Sequence, residues 1–422
     1  MTNKTTPSEN WRYLSQLSIN YLGWAACWTV ATSYLVPNTL LRMVDDSVKN
    51  TRLGLMSGAG NLFLIILIPL VGALSDRMGS QWGRRRPFYL AAAFAMSVLV
   101  LLVVRSQFYL MLLALLVLMH GALALWFPNR ALVRDIVPLE RRGRISGLTT
   151  IANTLGIMCA HLVAPRLIEA GKMMFLALLA VAVNVSSNLW VAIRIREESP
   201  ANAALSKKLS LKEAYFPRLE GGAGLAWLAA SNLLTQMGMV AMVCFLLYFI
   251  KDQIDPLHFN ATFGKLVLIA MATAVPSSLA AGMIADRFGR KRVLLVACLL
   301  QVACILNFLI SPRVHATLYV SGFLYGLGNG AYLSLYWTIL SDLIPEGEAS
   351  KHIGLMQYTF LIAWTTIPPT LGPIVDRFGA SSGMGYNILF ITITIFLLAG
   401  ISLIRKIPET LSKTPPTTNA LS

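Results

Sequence analysis

The sequence is poor in charged residues and poorer still in acids. Only 13% of its 422 residues are Asp, Glu, Lys or Arg and 56% are hydrophobic, whereas a soluble domain carries about 25% charged residues. This composition excludes a soluble globular protein and predicts a polytopic helical membrane protein. The excess of 35 basic over 19 acidic residues does not indicate nucleic-acid binding, because the basic residues lie in short clusters between apolar segments. There they favour a defined orientation and contacts with anionic lipid headgroups.

Several other features are missing. All five cysteines lie in apolar segments, so we expect no disulfide and no metal site: Cys27, Cys159, Cys244, Cys298 and Cys304. Residues 1 to 16 are polar and the first apolar segment has membrane length, so we expect no cleavable signal peptide. The sequence has no recognisable nucleotide-binding loop, metal-ligand cluster or nucleophile–base pair. We therefore expect no cofactor, no ATP-driven pump and no enzyme.

Twelve apolar segments are long enough to cross a bilayer, which takes roughly 20 residues per helix. We number them spans one to twelve and predict them at about 17–41, 53–75, 88–104, 108–133, 145–168, 172–194, 223–250, 263–285, 291–310, 315–341, 353–375 and 385–404. An even number of spans places both termini on one side. With both termini in the cytoplasm, 25 basic residues fall inside and 10 outside, which predicts that orientation in the cell (inner) membrane.

The longest internal hydrophilic stretch divides the chain into two halves. We predict an N-terminal six-helix bundle over 1–194, a cytoplasmic linker over 195–222 and a C-terminal six-helix bundle over 223–422. Within the linker, Leu209–Phe216 fits either an amphipathic helix on the membrane surface or a solvated charged loop.

The two halves share sequence landmarks. Asp76-Arg77 at the end of span two, followed by Gly83-Arg84-Arg85-Arg86, matches Asp286-Arg287 and Gly289-Arg290-Lys291 at the end of span eight. Asp135 at the end of span four likewise matches Asp342 at the end of span ten. Two independent landmarks indicate one duplication of a six-span unit.

These motifs resemble the loop signature of the major facilitator superfamily, and the resemblance covers nearly the whole chain. It implies an all-α membrane protein with twelve transmembrane helices in two pseudo-symmetric six-helix bundles, a central cavity and alternating access. Within that superfamily, the first loop and Arg130-Ala-Leu-x-x-Asp135 are similar to the sucrose transporters and the glycoside–pentoside–hexuronide symporters. The acid that sucrose transporters carry on span four is replaced by Met119, beside His120, and span two offers only Asn61. Coupling through a central carboxylate is therefore not expected.

The repeated loop motifs predict gates. Asp76, at a helix end, can accept hydrogen bonds from the backbone N–H groups that open a neighbouring helix, and the arginines can pair with acids such as Asp135 and Glu140. The alternative is that the arginines only face lipid phosphate. The predicted gating residues are Gly72, Asp76, Arg77, Gly83, Arg84, Arg85, Arg86, Asp135, Gly282, Asp286, Arg287, Gly289, Arg290 and Lys291.

Polar and aromatic side chains inside the spans predict a substrate site rich in rings and amides and poor in charge. Tyr325, Asn329, Tyr332 and Tyr336 lie on one face of span ten, and Arg130 either lines the cavity or extends toward the cytoplasm. The predicted substrate-binding residues are Trp24, Trp28, Asn61, Arg130, Asn232, Gln236, Tyr325, Asn329, Tyr332, Tyr336, Gln357 and Trp364. Each amide could instead join two helices. His120 and His161 are candidates for proton handling or for hydrogen-bonded packing.

The sequence thus predicts a secondary or facilitative transporter of a small polar solute, with a sugar or glycoside favoured. The main alternative is an exporter of a drug, siderophore or other metabolite by proton antiport, and a further one is a signalling or lipid-scrambling protein on the same scaffold. The expected partners are the solute, membrane lipid and a coupling ion, either a proton or sodium. We expect a monomer and no nucleic acid.

Overall fold

The computed structural model describes residues 11–78, 82–195, 197, 222–310, 315–344, 349–379 and 382–409. Within these residues every regular element is a helix. The segment Leu209–Phe216, for which the sequence fits either a surface helix or a solvated loop, lies outside the described residues, as does nearly all of the linker.

The helices account for all twelve predicted spans. Span one is a composite of short helices over residues 11–40, and span four consists of Tyr109–Trp126 and Asn129–Ile136. The remaining spans are single helices: Lys49–Arg77, Arg86–Arg105, Leu139–Glu169, Met173–Arg194, Gly222–Gln253, Phe259–Phe288, Arg290–Ile310, His315–Leu343, Ala349–Arg377 and Met384–Ile404. Nine helices within the described residues are long and apolar enough to cross a membrane on their own. Most exceed the roughly 20 residues that the hydrocarbon layer needs, so their charged ends extend beyond it.

Span one departs from α-helical geometry twice. Trp11–Ser15 leads into a 3-10 turn at Gln16–Ser18, then the α-helix Ile19–Thr29, a π-helical segment at Val30–Leu35 and a last α-helical turn at Val36–Leu40. Pro37 explains the wide segment, because it has no N–H to donate to the carbonyl four residues earlier and its ring displaces that carbonyl. π segments often occur at functional sites.

The chain forms two compact units that do not coincide with the two sequence halves. Unit one comprises Met1–Pro217, Cys244–Leu268 and Trp364–Gly385, and unit two comprises Arg218–Val243, Ile269–Ala363 and Tyr386–Ser422. In unit one, span one packs on spans five and six, and span four packs on spans two and three. In unit two, span nine packs on span ten. The predicted division at residues 195–222 stays a prediction.

Unit one also includes short pieces of the second half. Span two ends and span three begins at Gly72–Phe88. We call this side of the spans the loop side and the opposite side, where span two begins and span three ends, the distal side. Residues 244–268 and 364–385 contain the distal ends of spans seven, eight and eleven. The two sequence halves therefore meet within unit one on the distal side.

Candidate functional site

On the loop side of unit one, Arg85 holds three elements together. Its guanidinium is buried and donates to Asp76 Oδ1 at 2.7 Å, Asp135 Oδ2 at 3.1 Å and Ser75 Oγ at 2.8 Å. Arg84 adds a second bond to Asp135 at 2.9 Å. The ends of spans two and four are thereby tied to the loop between spans two and three. Arg84 and Arg85 thus bind protein carboxylates. If the arginines only faced lipid phosphate, these pairs would not be needed.

The turn after span two depends on a glycine and on an acid that follows span six. Gly83 has a φ of 99°, which disfavours other residues. Glu197 Oε2 accepts the backbone N–H of Arg85 at 2.8 Å, and Arg86 donates to the carbonyl of Ile195. Sequence reasoning missed Glu197, because it lies far from Arg85 along the chain and no motif links the two residues.

Unit two repeats this turn. Gly289 has a φ of 95°, and Glu409 Oε1 accepts the backbone N–H of Arg290 at 3.1 Å. Arg290 pairs with Asp342, as Arg84 pairs with Asp135, and Lys291 donates to carbonyls after span twelve. The duplication therefore includes the anchoring acid, which follows the last span of each half.

The remaining residues of the predicted gating set are less involved. Asp76 pairs with Arg85, whereas the predicted partner was the N-terminus of a neighbouring helix. A charged donor at 2.7 Å satisfies the carboxylate locally. A Cβ at Gly72 or Gly282 would meet nothing within 4 Å. Three more members of the set are exposed: Arg77, Asp286 and Arg287.

In the first half, the imidazole of His120 makes two polar contacts. Its Nδ1 lies 2.9 Å from the carbonyl of Leu116, and its Nε2 lies 3.4 Å from the amide nitrogen of Asn61. A neutral ring satisfies both contacts, with Nδ1–H donating and Nε2 accepting. The ring of Trp28 meets the imidazole edge-on at 5.3 Å, and a Cβ at Gly60 would lie 2.4 Å from Nδ1. The structure thus brings together three of the predicted residues, and a glycine makes room for the histidine.

Spans one and four meet at a second aromatic contact in unit one. Trp24 is buried and stacks on Trp126 at 5.1 Å, while the Asn20 side chain donates to Asn129 at 2.9 Å. Arg130 is exposed, and its guanidinium lies 4.8 Å from the centre of the Phe127 ring. Trp24 therefore supports the packing of span one on span four, whereas the side chain of Arg130 is exposed.

His161 joins the two sequence halves on the distal side of unit one. Its Nδ1 lies 2.7 Å from the hydroxyl of Tyr34, which is in the π segment of span one. The rings of both residues contact Phe263 of span eight, with centroids 5.5 Å and 5.7 Å away. A Cβ at Gly264 would lie 2.7 Å from the His161 carbonyl, so span eight approaches span five closely. Sequence reasoning selected His161 but missed Tyr34.

Charged side chains join spans two and seven nearby. Lys49 Nζ lies 2.5 Å from Asp252 Oδ1, and the two side chains are 2% and 7% exposed. Asp46 accepts from Lys49 and Lys251, both at 3.1 Å. Partial burial raises the pKa of Asp46, but the hydrogen bonds and charges of the two lysines outweigh it and hold the pKa below its usual value. These lysines and acids tie the two halves together on the distal side.

In unit two, the predicted residues of spans seven and ten bind one another. Asn232 accepts from the Tyr332 hydroxyl at 2.7 Å and donates to Thr359 at 2.6 Å. Tyr332 stacks on Tyr336 at 5.9 Å, and both rings are buried. Two members of the predicted stripe on span ten are therefore used in packing, and the role of the stripe in substrate binding stays a prediction. Half-buried residues from the predicted set are Tyr325, Asn329, Gln236 and Gln357 in unit two and Trp364 in unit one.

Twelve spans in two related halves, each with a turn of the same construction, are typical of membrane transporters built from internal repeats. A family model described as Major Facilitator Superfamily matches residues 16–368 and 228–421. The chain belongs to the Major Facilitator Superfamily. It is a multi-pass membrane protein that transports small solutes and is not an enzyme.

A multidrug resistance protein is similar to this chain in sequence, and two transporters of known structure are similar to it in fold. It is 24% identical over its whole length to the multidrug resistance protein MdtG of Klebsiella pneumoniae (strain 342), of which it covers 98%. A bacterial homologue of the human lysosomal transporter Spinster has a TM-score of 0.74 at 14% identity, covering 96% of this chain and 97% of the other. The D-xylose–proton symporter has a TM-score of 0.72 at 14% identity, covering 95% and 98%. These structures share the fold, and the relatives leave the solute class open.

Proposed function

We propose that the protein is a secondary or facilitative transporter that carries a small, uncharged or weakly anionic polar solute by alternating access, with a sugar or glycoside favoured. The observation that carries the proposal is the distribution of charge: none of the 19 acids lies inside a predicted span. An ionisable group within a membrane is costly and is usually retained for a charged ligand or ion. A cationic solute would have no carboxylate partner there.

Each unit, taken by itself, offers side chains that suit a polyhydroxylated solute. Aromatic rings offer flat apolar faces for the C–H surfaces of a sugar, and amides offer paired donors and acceptors for its hydroxyls. Half-buried members of this kind are Trp28 and Trp364 in unit one and Tyr325, Gln236 and Gln357 in unit two. The exposed Arg130 adds a planar fork of donors that binds hydroxyls or a carboxylate.

The resemblance of the first loop to sucrose transporters agrees with this choice of solute. Any coupling proton would pass through a histidine, either His120 or His161, because no acid of the sequence lies inside a predicted span. The turns on the loop side open and close as gates when their ion pairs exchange partners, since a difference of a few kcal/mol between states is sufficient. The protein acts as a monomer in the cell (inner) membrane, with both termini in the cytoplasm.

Export of a drug or another amphipathic metabolite is the second candidate. It is supported by the full-length similarity to MdtG. Rings such as Trp28 and Tyr325 would bind an organic cation through cation–π contacts in place of a carboxylate.

Transport into proteoliposomes separates the two candidates. Purified protein is reconstituted with and without a pH gradient and offered labelled sugars, glycosides and amphipathic cations. We expect uptake of a sugar or glycoside and roughly tenfold weaker binding in Arg130→Lys, since a two-point hydrogen bond becomes a point charge. Arg105→Lys, at the distal end of span three, is the matched control and keeps the parental affinity. Transport of the cations alone would establish the exporter and overturn the sugar proposal.

A further inference from the structure

A third copy of the loop motif lies on the distal side of unit one. The eight residues Gly372–Gly379 read GPIVDRFG, and Gly282–Gly289 read GMIADRFG, so six of eight residues are identical. The last glycine has a positive φ in both, 85° at Gly379 and 95° at Gly289. The same turn thus ends span eleven on the distal side and span eight on the loop side.

The acid of this third copy caps a helix from the other sequence half. Asp376 Oδ2 accepts the backbone N–H and the hydroxyl of Thr51, both at 2.7 Å. Asp376 Oδ1 accepts the side-chain amide of Asn50 at 2.8 Å and its backbone N–H at 3.3 Å. Thr51 and Asn50 lie in the first turn of span two, where the N–H groups have no partner within the helix and favour negative charge. One carboxylate therefore satisfies four donors at the start of span two.

The two helices are close enough for this cap because glycines remove side chains from their contact. A Cβ at Gly372 would lie 2.5 Å from the Asn50 carbonyl. A Cβ at Gly54 would lie 2.1 Å from the Pro368 carbonyl, and one at Gly58 would lie 2.8 Å from the Pro369 ring. Small residues four apart allow helices to approach closely in membranes. Spans two and eleven thus meet backbone to backbone on the distal side, within unit one.

We propose that Gly372–Gly379 is a latch for the distal gate, in which Asp376 holds span two against span eleven. The latch rests on the proposed alternating-access function. When the distal side opens, the two halves separate and Asp376 must leave the N-terminus of span two. The four hydrogen bonds then exist in only one state, and such contacts bias a conformational equilibrium by their full difference in free energy.

The proposal is tested by measuring the separation of the two halves directly. Nitroxide labels at Phe108→Cys and Leu257→Cys, whose native side chains are 58% and 82% exposed, report the distance across the distal side. The five native cysteines are replaced by serine or alanine, and the protein is reconstituted in nanodiscs for double electron–electron resonance. Asp376→Asn should raise the ratio of the population with the longer distance to the population with the shorter distance at least tenfold, equivalent to about 1.4 kcal/mol. Its amide would place an N–H group against the N–H of Thr51.

Two further variants make the outcome decisive. Thr51→Val removes the hydroxyl, one of the four donors, and should shift the ratio of the two populations by roughly threefold. This shift corresponds to a small part of the energy of a hydrogen bond to a charged group. Asp255→Asn is the matched control, because Asp255 caps span eight through His258 N and Thr262 Oγ1, within its own sequence half. It should leave the distances unchanged.

The result that overturns the latch is an Asp376→Asn distribution that superimposes on that of the parent. An equal shift in Asp255→Asn would also overturn it, since the effect would then come from weakening any helix cap. If Asp376→Asn does not yield folded protein, an unchanged ratio in Thr51→Val decides against the latch. The measurement needs no solute, so failure of the sugar proposal in proteoliposomes leaves this test intact.

Discussion

Removing the Lys49 charge tests whether the distal cluster stabilises the protein as a pair or as independent groups. Lys49→Met leaves Asp252 in a site where its side chain is only 7% exposed, after losing a partner at 2.5 Å. Breaking a buried pair costs about 3–5 kcal/mol, because the remaining charge is uncompensated. Lys251 Nζ lies 3.8 Å from Asp252 and compensates part of it. We therefore expect a loss of about 3 kcal/mol, at the lower end of that range.

The double variant provides the discriminating comparison. Lys49→Met with Asp252→Leu removes both charges and fills their site with apolar groups, which is often neutral or stabilising. The free energy of unfolding is measured by SDS titration in mixed micelles, and a double-mutant cycle gives the coupling energy. We expect the double variant to lie close to the parent. A cost below about 1 kcal/mol for Lys49→Met, or a double variant as unstable as the sum of the singles, would refute the assignment of a buried, coupled pair.

Three further predictions concern a glycine and two acids. Gly60→Ala should destabilise the protein by about 1–3 kcal/mol despite the better helix propensity of alanine, because the new Cβ displaces His120; a stability at or above the parental value in the SDS titration would contradict this. Glu197→Gln should speed amide exchange at Arg85 roughly tenfold, for the loss of a charge-assisted bond of about 1.5 kcal/mol; unchanged exchange would show that the acid does not anchor the turn. Because the pKa of Asp46 is lowered in the closed distal cluster, its ionised form stabilises closure at neutral pH. The difference in distal distances between the parent and Asp46→Asn should therefore be constant from pH 8 to about 5, begin to shrink near the ordinary pKa of an aspartate, about 4, and disappear only below the lowered pKa; a difference that grew on acidification would refute that sign.

The twelve spans and the loop motif were predictable because they depend on local sequence. Apolar length fixes a span, and the Asp76 motif has its copy at Asp286. The anchoring role of Glu197 was not predictable, since nothing along the chain relates it to Gly83. The latch at Asp376 was within reach, because the same comparison that found Gly282–Gly289 finds Gly372–Gly379. Its partner Thr51 could not be found, because which helix end faces span eleven depends on packing between distant spans.

The tyrosines of span ten show the other limit. Helical spacing predicts that they share one face, but spacing does not say which part of a face is buried. Tyr332 bonds to Asn232 and is buried, whereas Tyr325 is only half-buried. Similarly, Asn61 and His120 were selected separately for two different roles. Gly60 makes room for their contact. A glycine has no polar side chain, so the sequence did not mark this position as part of the site.

The π segment of span one gives that helix a spare residue. A π turn accommodates one residue more than an α turn, and Tyr34 lies within it. If the segment converted to regular α-helix, the part of span one beyond it would turn by about 100° and advance by about 1.5 Å, the increments of a single residue. The Tyr34 ring would then swing away from His161 without any loss of helical length. A change between π and regular α geometry would therefore rotate the distal end of span one relative to the part of the helix that packs on spans five and six.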